Sequence, residues 1–212
     1  MKNNPDKVAW TGVIISVQPR TSVWRYKIDN RTHYYNGYNL FLEGEVEAVT
    51  KRFTVAISEK QQMKNEFRIG DFVRGTAWTK KYSFSEYADF YRAGNLKVIN
   101  RSADYIPIAV PPYIMPLPDM ETYAQRGARM LSSSCYKRKC FQCIWATMAT
   151  VVIEYDWGIR QKYRFESFCY GPKSCKFYKM GKPRAVPYKD EGSCYDDGCL
   201  DEIITQGRGL DD

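Results

Sequence analysis

The chain has 212 residues, 15% of them aromatic, and its 32 Lys and Arg against 24 Asp and Glu give a formal net charge of +8. Residues 1–5 are polar and the longest nearly apolar run, 143–153, is too short to cross a bilayer, which argues against a secretory signal and a membrane span. We therefore expect a cytoplasmic protein with one ordinary domain and a small satellite.

Charge is distributed unevenly along the chain. Residues 135–190 hold 12 Lys and Arg against 4 Asp and Glu, whereas residues 191–212 hold 1 against 7. A dense positive charge attracts phosphate groups, because neutralising them releases counterions. The alternative is a solvated basic surface that serves solubility. The acidic tail either folds back on the basic region or mimics nucleic acid.

The first hundred residues predict short strands separated by turns. In chain order the strands are expected over 10–17, 23–46, 53–57, 67–78 and around 96–98. Polar or glycine-containing turns are expected at 18–22, 29–30 and 36–37, with a helical turn over 59–66. Five short strands suffice to close a barrel that hides its edges, so the predicted fold class is mainly β.

Two of these segments carry a resemblance to a known fold. Residues 69–75, Ile-Gly-Asp-Phe-Val-Arg-Gly, resemble the fourth strand of many OB-folds, and residues 95–99, Asn-Leu-Lys-Val-Ile, resemble the closing strand. The resemblance covers about residues 7–101 and implies an OB-like five-stranded barrel. Proteins with this fold commonly bind single-stranded nucleic acid on the face of strands 2 and 3, using aromatic side chains and a basic groove.

Aromatic and basic residues are interleaved in the predicted second strand and after the fourth. Stacking of a base on an aromatic ring contributes about 1–3 kcal/mol of binding free energy, and phosphates pair with Lys and Arg. Such a strand can therefore bind both the base and the phosphate of a nucleotide. Because side chains alternate along a strand, half of the rings are expected in the barrel core. The candidate contacts are Arg20, Trp24, Arg25, Tyr26, Lys27, Trp78, Lys80 and Lys81. The only histidine, His33, is expected to be structural.

A proline-rich stretch follows the barrel. Residues 105–118 contain five prolines, which favours an extended connector lying across another surface. A helix is predicted over 119–131 with Asp119 as its N-cap, although Gly127 weakens that pattern. This helix is expected to bridge the barrel and the region that follows.

All seven cysteines lie at or after residue 135. Apolar and polar residues alternate over 150–157 and 162–167, which predicts a hairpin turning at Gly158 between two pairs of cysteines. This arrangement resembles a zinc ribbon, in which two such pairs hold one Zn²⁺. The resemblance implies Cys140, Cys143, Cys169 and Cys175 as the metal ligands, although ribbons usually have two residues inside the second pair where this chain has five.

The cysteine spacing leaves alternatives open. Cys135-x4-Cys140-x2-Cys143 followed by Cys169 resembles the spacing of plant-type ferredoxins, which implies an iron–sulfur cluster and makes Cys135 a possible substitute ligand. Disulfides are a further alternative, but an odd cysteine count in a reducing compartment favours a metal. Cys194 and Cys199 are free thiols, a redox pair or substitute ligands.

Residues 163–175 and 201–209 also resemble a bacterial family with an OB-like N-terminal domain and a C-terminal zinc-ribbon-like module, and this resemblance implies no particular function. Together the patterns predict four regions. They are an OB-like barrel over 1–104, a connector with a helix over 105–134, a cysteine-rich module over 135–190 and an acidic tail over 191–212.

The sequence has one histidine, no Walker-type loop, no Gly-x-Ser-x-Gly and no HExxH, so we expect a binding protein without catalytic activity. The predicted partner is nucleic acid, single-stranded or structured RNA ahead of duplex DNA. Lys137, Arg138 and Lys139 of the cysteine module are further candidate contacts. The alternatives are an adaptor that docks a larger protein complex and an iron–sulfur redox or sensor protein.

Overall fold

The computed structural model describes residues 5–26, 31–155, 160–182 and 197–210. The protein is mainly β, with 49% strand and 16% helix. Its strands are β1 (Lys7–Tyr26), β2 (Arg31–Val46), β3 (Val49–Ile57), β4 (Phe72–Thr79), β5 (Phe90–Asn100), β6 (Arg129–Met130), β7 (Ala146–Tyr155) and β8 (Arg160–Cys169). Its helices are α1 (Glu59–Asn65), α2 (Met120–Arg126), α3 (Ser133–Cys135), which continues as a π-helical turn (Tyr136–Cys140), and α4 (Asp197–Ile204).

The strands form one mixed sheet in the order β2-β3-β5-β4-β1-β7-β8-β6, and β1 also pairs with β2. This extra pairing closes β1 to β5 into a ring of five strands. Within the ring β3 and β5 are parallel, at Val55 and Phe90, and the other neighbours are antiparallel. Outside it, β7 pairs in parallel with the end of β1, from Ser22 to Tyr26. One sheet therefore joins the ring to the cysteine-bearing hairpin.

The predicted turns at 18–22 and 36–37 are wrong, because β1 and β2 run through these positions. Register shifts occur beside Ile14 and Pro19, and such irregularities are the places where a strand tolerates proline. The polar side chain of Gln18 is buried, donating to the Phe141 carbonyl at 2.5 Å and accepting from the Tyr136 hydroxyl at 2.8 Å. The polar pattern reflects contacts with a distant part of the chain.

The predicted helical turn over 59–66 is confirmed as α1, which Ser58 and Gln61 begin with a reciprocal capping box. Helix α2 begins at its predicted cap, where Asp119 accepts from the Thr122 amide at 2.7 Å. It ends at Arg126 instead of residue 131, because Gly127 has a φ of +65° and the chain then enters β6. The predicted hairpin is confirmed as β7 and β8, while its turn residue Gly158 and the predicted turn at 29–30 lie outside the described residues.

Two buried ion pairs fix strands of the ring against the C-terminal part. Arg25 on β1 donates to Glu166 on β8 at 2.7 Å, with both side chains almost fully buried. Arg31 on β2 pairs with Asp201 on α4, and Asp201 also accepts from the Met130 amide at 2.8 Å. This part of the acidic tail therefore folds back onto the sheet.

His33 lies beside both of these arginines and packs edge-on against Phe168 at 4.8 Å. Burial lowers the pKa of His33 well below 6.5, and the charges of Arg31 and Arg25 lower it further. Below pH 6.5 the His33 side chain therefore takes up a proton more readily in the unfolded chain than in the folded chain. The stability that the folded protein has above pH 6.5 is lost as the pH falls below this value. We expect the free energy of unfolding to fall by up to about 1.4 kcal/mol per pH unit.

The measurement is urea unfolding between pH 7 and pH 5, with His33→Phe as the comparison. Because His33 is the only histidine, the variant should lose most of the slope over this range. An unchanged slope in His33→Phe would assign the pH dependence to other groups.

Candidate metal centre and basic surface

Antiparallel pairing brings the two predicted cysteine pairs to one end of the β7–β8 hairpin. Cys140 and Cys143 precede β7, and the Cys143 amide donates to the Cys140 carbonyl at 3.0 Å, which makes a tight turn. Cys169 is the last residue of β8 and lies opposite Ala146 at the start of β7. Cys175 follows on a loop in which its amide donates to the Pro172 carbonyl at 3.2 Å. The order of the hairpin thus explains why cysteines far apart in sequence meet.

These four cysteines line one small cavity of about 10 Å³. Its walls include Tyr113, Leu131 and Trp145, so the surroundings are largely apolar. Cys140, Cys143 and Cys169 are buried and Cys175 is partly exposed. The volume is close to the smallest that holds a single water molecule.

Burial and neighbouring thiols keep Cys140 and Cys143 protonated when no cation is present. Burial, together with the neighbouring thiols of Cys169 and Cys175, raises the pKa of Cys143 to about 12. Burial likewise raises the pKa of Cys140, with Cys135, Cys143 and Cys169 adding to the effect. A bound divalent cation reverses this balance, because it stabilises thiolates directly.

Other groups around Cys169 favour its thiolate form. The Gly171 amide donates to the Cys169 sulfur at 3.3 Å. Burial raises the pKa of Cys169, but the Arg129 guanidinium and this amide lower it. Arg129 is itself held over the Tyr178 ring at 3.9 Å. Such neighbours orient and stabilise metal-binding thiolates in known sites.

Cys135, the predicted substitute ligand, lies beside the other thiols. Its sulfur is 3.8 Å from that of Cys140 and donates to the Phe177 carbonyl at 2.7 Å. Cys135, Cys140, Cys143, Cys169 and Cys175, hereafter the thiol cluster, are not disulfide-bonded. Cys199 is exposed on α4, and Cys194 lies outside the described residues.

The thiol cluster has suitable donor atoms for a metal, but its side chains are not arranged around a metal site. Four thiols with largely apolar surroundings are a common donor set for zinc. Across the described ranges, however, no three His, Cys, Asp or Glu side chains are arranged as a group that could hold a metal ion. Binding would therefore draw the sulfur atoms closer together.

Exposed basic residues lie on the two segments next to the thiol cluster. Cys135, which directly precedes the π-helical turn, donates to the Phe177 carbonyl in the loop after Cys175. Both Lys139 and Lys176 lie over the Phe177 ring, at 4.7 and 5.5 Å. Neither 129–153 nor 167–182 contains an acidic residue. We call the exposed side chains of Lys137, Arg138, Lys139, Lys176, Lys179 and Lys182 the basic surface. The sequence alone indicated the first three, and the fold shows that the segment carrying the last three lies beside them.

The predicted contacts on the ring do not come together in this way. Arg25 is buried against Glu166, while Arg20 pairs with Glu86 and Lys80 donates to the Glu86 carbonyl at 3.1 Å. Trp78 is 37% exposed, Lys81 is exposed and Trp24 is half-buried. The side chain of Tyr26 and all of Lys27 lie outside what the structure describes.

The outer face of β1 and β2 within the ring is covered by the cysteine-bearing part of the chain. Ser16 donates to the Phe141 carbonyl at 2.6 Å, as Gln18 does, and the rings of Phe41 and Phe141 meet edge-on at 5.0 Å. Tyr136 closes the contact through its bond to Gln18. The protein's own side chains therefore fill this face of β1 and β2.

Comparison with protein-family models, with curated proteins and with solved structures found no match. Among the described residues, no helix is long and apolar enough to cross a membrane.

Proposed function

We propose that this protein binds nucleic acid through the basic surface and that a structural Zn²⁺ held by the thiol cluster supports that surface. The observation that carries the proposal is the meeting of six exposed cations on two adjacent segments that contain no acidic residue. Such a concentration of positive charge attracts phosphates and gains free energy by releasing their counterions. The partly buried ring of Phe177 between Lys139 and Lys176 adds a surface on which a base can stack.

The ring of five strands supports the interpretation of residues 7–101 as an OB-like barrel. Its closed order β1-β2-β3-β5-β4, the parallel contact of β3 with β5 and the position of α1 between β3 and β4 all favour this interpretation. In our proposal the barrel acts mainly as a scaffold, because Phe141 and Tyr136 cover its β1–β2 face.

The metal proposal rests on the donors and their neighbours. Cys140, Cys143, Cys169 and Cys175 would hold the ion, and the amide of Gly171 and the guanidinium of Arg129 would stabilise the thiolates. Two sulfurs on one tetrahedral zinc are about 3.8 Å apart, given a Zn–S distance of about 2.3 Å. The Cys135–Cys140 distance of 3.8 Å matches this value, which keeps Cys135 as a substitute ligand.

Removal of three charges from the basic surface tests the proposed function. We expect Lys137→Ala, Arg138→Ala and Lys139→Ala together to weaken binding to a single-stranded oligonucleotide. The slope of log affinity against log salt concentration should become shallower by about 2, since each phosphate contact contributes about 0.7 for single strands. Fluorescence anisotropy across a salt series measures both quantities.

A triple variant on the ring, Lys60→Ala, Lys64→Ala and Lys97→Ala, is the matched control, because it removes the same charge from exposed positions elsewhere. Equal losses in the two variants would indicate a general charge effect and no defined surface. Absence of binding by the intact protein at low salt would overturn the proposed function and favour a protein-docking adaptor.

A further inference from the structure

Four strands lie side by side beyond the ring, where β2, β1, β7 and β8 form a continuous part of the sheet. Their register places two rows of residues across it. In one row Tyr34 is opposite Ser22, which pairs with Thr150 and then Phe165. In the next row Thr32 is opposite Trp24, which pairs with Val152 and then Tyr163.

The two faces of this part of the sheet differ in burial. Because side chains alternate along a strand, the residues between the two rows point to the opposite face, and Val23 and Val151 there are fully buried. The face with the two rows carries Trp24, Tyr34, Phe165 and Tyr163, which we call the aromatic face. Tyr34 is 46% exposed and Tyr163 is 44% exposed, whereas Trp24 and Phe165 are half-buried.

The aromatic face continues into the basic surface through a chain of packed rings. Phe165 meets Tyr87 at 5.2 Å, and Tyr87 meets Phe41 at 6.1 Å. Phe41 in turn meets Phe141, which packs against Tyr136 at 6.4 Å. Lys137 of the basic surface follows Tyr136 directly in the chain, so four successive ring contacts connect the aromatic face to the basic surface.

We infer that the aromatic face stacks the unpaired bases of a single-stranded nucleic acid whose phosphates lie on the basic surface. This inference rests on the proposed function and specifies that the nucleic acid is single-stranded. Aromatic rings stack on any base but reach base faces only where the bases are not paired, whereas phosphates alone do not distinguish a single strand from a duplex. Neighbouring strands are about 4.8 Å apart, so Trp24 and Tyr163 are separated by about 10 Å across Val152.

Charge distinguishes this occupant from a protein. The two segments that carry the basic surface hold six exposed cations and no acidic residue, which suits a polyanion. Glu154, the acidic residue at the far end of the aromatic face on β7, lies on the side of Trp24 and Val152 away from the basic surface. In this arrangement, a single strand that runs from the basic surface toward Trp24 contacts the cations at one end and the aromatic rings at the other.

The test compares two double variants of the intact chain. Tyr34→Leu with Tyr163→Leu removes the aromatic rings and keeps apolar side chains, whereas Tyr34→Phe with Tyr163→Phe keeps the rings. We expect the Leu pair to weaken binding to a single strand of about 12 nucleotides by about tenfold or more, and the Phe pair to bind almost as the parent does. Neither pair should change the salt slope, because no phosphate contact is lost. Binding to a duplex of the same length should be unaffected.

The outcomes separate this inference from the proposed function. If the parent binds single strand and duplex equally and the Leu pair changes neither, the aromatic face is not a stacking platform, while binding through the basic surface stands. If the Leu pair instead abolishes association with a protein partner and leaves oligonucleotide binding unchanged, the aromatic face docks protein and the inference is wrong. Urea unfolding of both pairs identifies any loss that comes from reduced stability.

Discussion

Glu166→Gln should lower the free energy of unfolding by about 3 kcal/mol, although the substitution keeps the shape of the side chain. Glu166 is fully buried and its carboxylate faces Arg25 at 2.7 Å and Arg164 on the same strand. Removing one charge of a buried pair leaves the desolvation penalty of the other without its compensating attraction, which costs about 3–5 kcal/mol. The pair also joins β1 of the ring to β8 of the hairpin, so its loss should loosen both parts.

Urea unfolding of three variants measures this effect. Glu43→Gln is the control, because Glu43 pairs with Arg52 at the surface, where such pairs contribute about 0.2–1 kcal/mol. Arg25→Met with Glu166→Leu should be less destabilising than Glu166→Gln alone, since an apolar pair can replace a buried ion pair. Equal effects of Glu166→Gln and Glu43→Gln would show that the buried pair has no special role.

Removal of the proposed metal should have the other large effect. We expect protein purified without oxygen to contain one zinc per chain, and a chelator to lower the free energy of unfolding by about 3 kcal/mol or more, because structural zinc contributes about 10–16 kcal/mol of binding in small domains. Cys143→Ser should cause a comparable loss, since Cys143 is buried in the thiol cluster. Thermal unfolding with and without chelator, together with metal analysis, measures both.

Cys199→Ser is the control, because Cys199 is exposed on α4 and should leave metal content and stability unchanged. A brown protein that contains iron and sulfide would indicate that the same cysteines hold an iron–sulfur cluster and not zinc. A colourless protein that contains no metal and whose stability does not change with the chelator would contradict both the zinc site and the iron–sulfur cluster.

Elements that are determined by residues close together in the sequence could be predicted from the sequence. The helical turn over 59–66, the N-cap at Asp119 and the alternation of β7 and β8 each depend on residues close together in the sequence. The gathering of Cys140, Cys143 and Cys169 could likewise be predicted, because an antiparallel hairpin brings its two ends together.

Features that depend on distant partners could not be predicted in this way. Gln18 looked like part of a turn because its partners, Phe141 and Tyr136, belong to another region. Arg25 looked like a phosphate contact because nothing in its neighbourhood reveals Glu166 as its partner. In both cases the side chain is polar and buried, and its hydrogen-bond partner can be identified only from the three-dimensional fold.

The parallel pairing of β1 with β7 determines when the chain can complete its fold. Residues 22–26 of β1 leave the ribosome early, but their partners at 150–154 are made much later. During this interval one edge of β1 remains open, and an open edge is a template for pairing with another chain. Pairing between such distant segments is also slow, because a long loop must close first. A fragment that ends near residue 104 would keep this edge exposed permanently and is expected to self-associate.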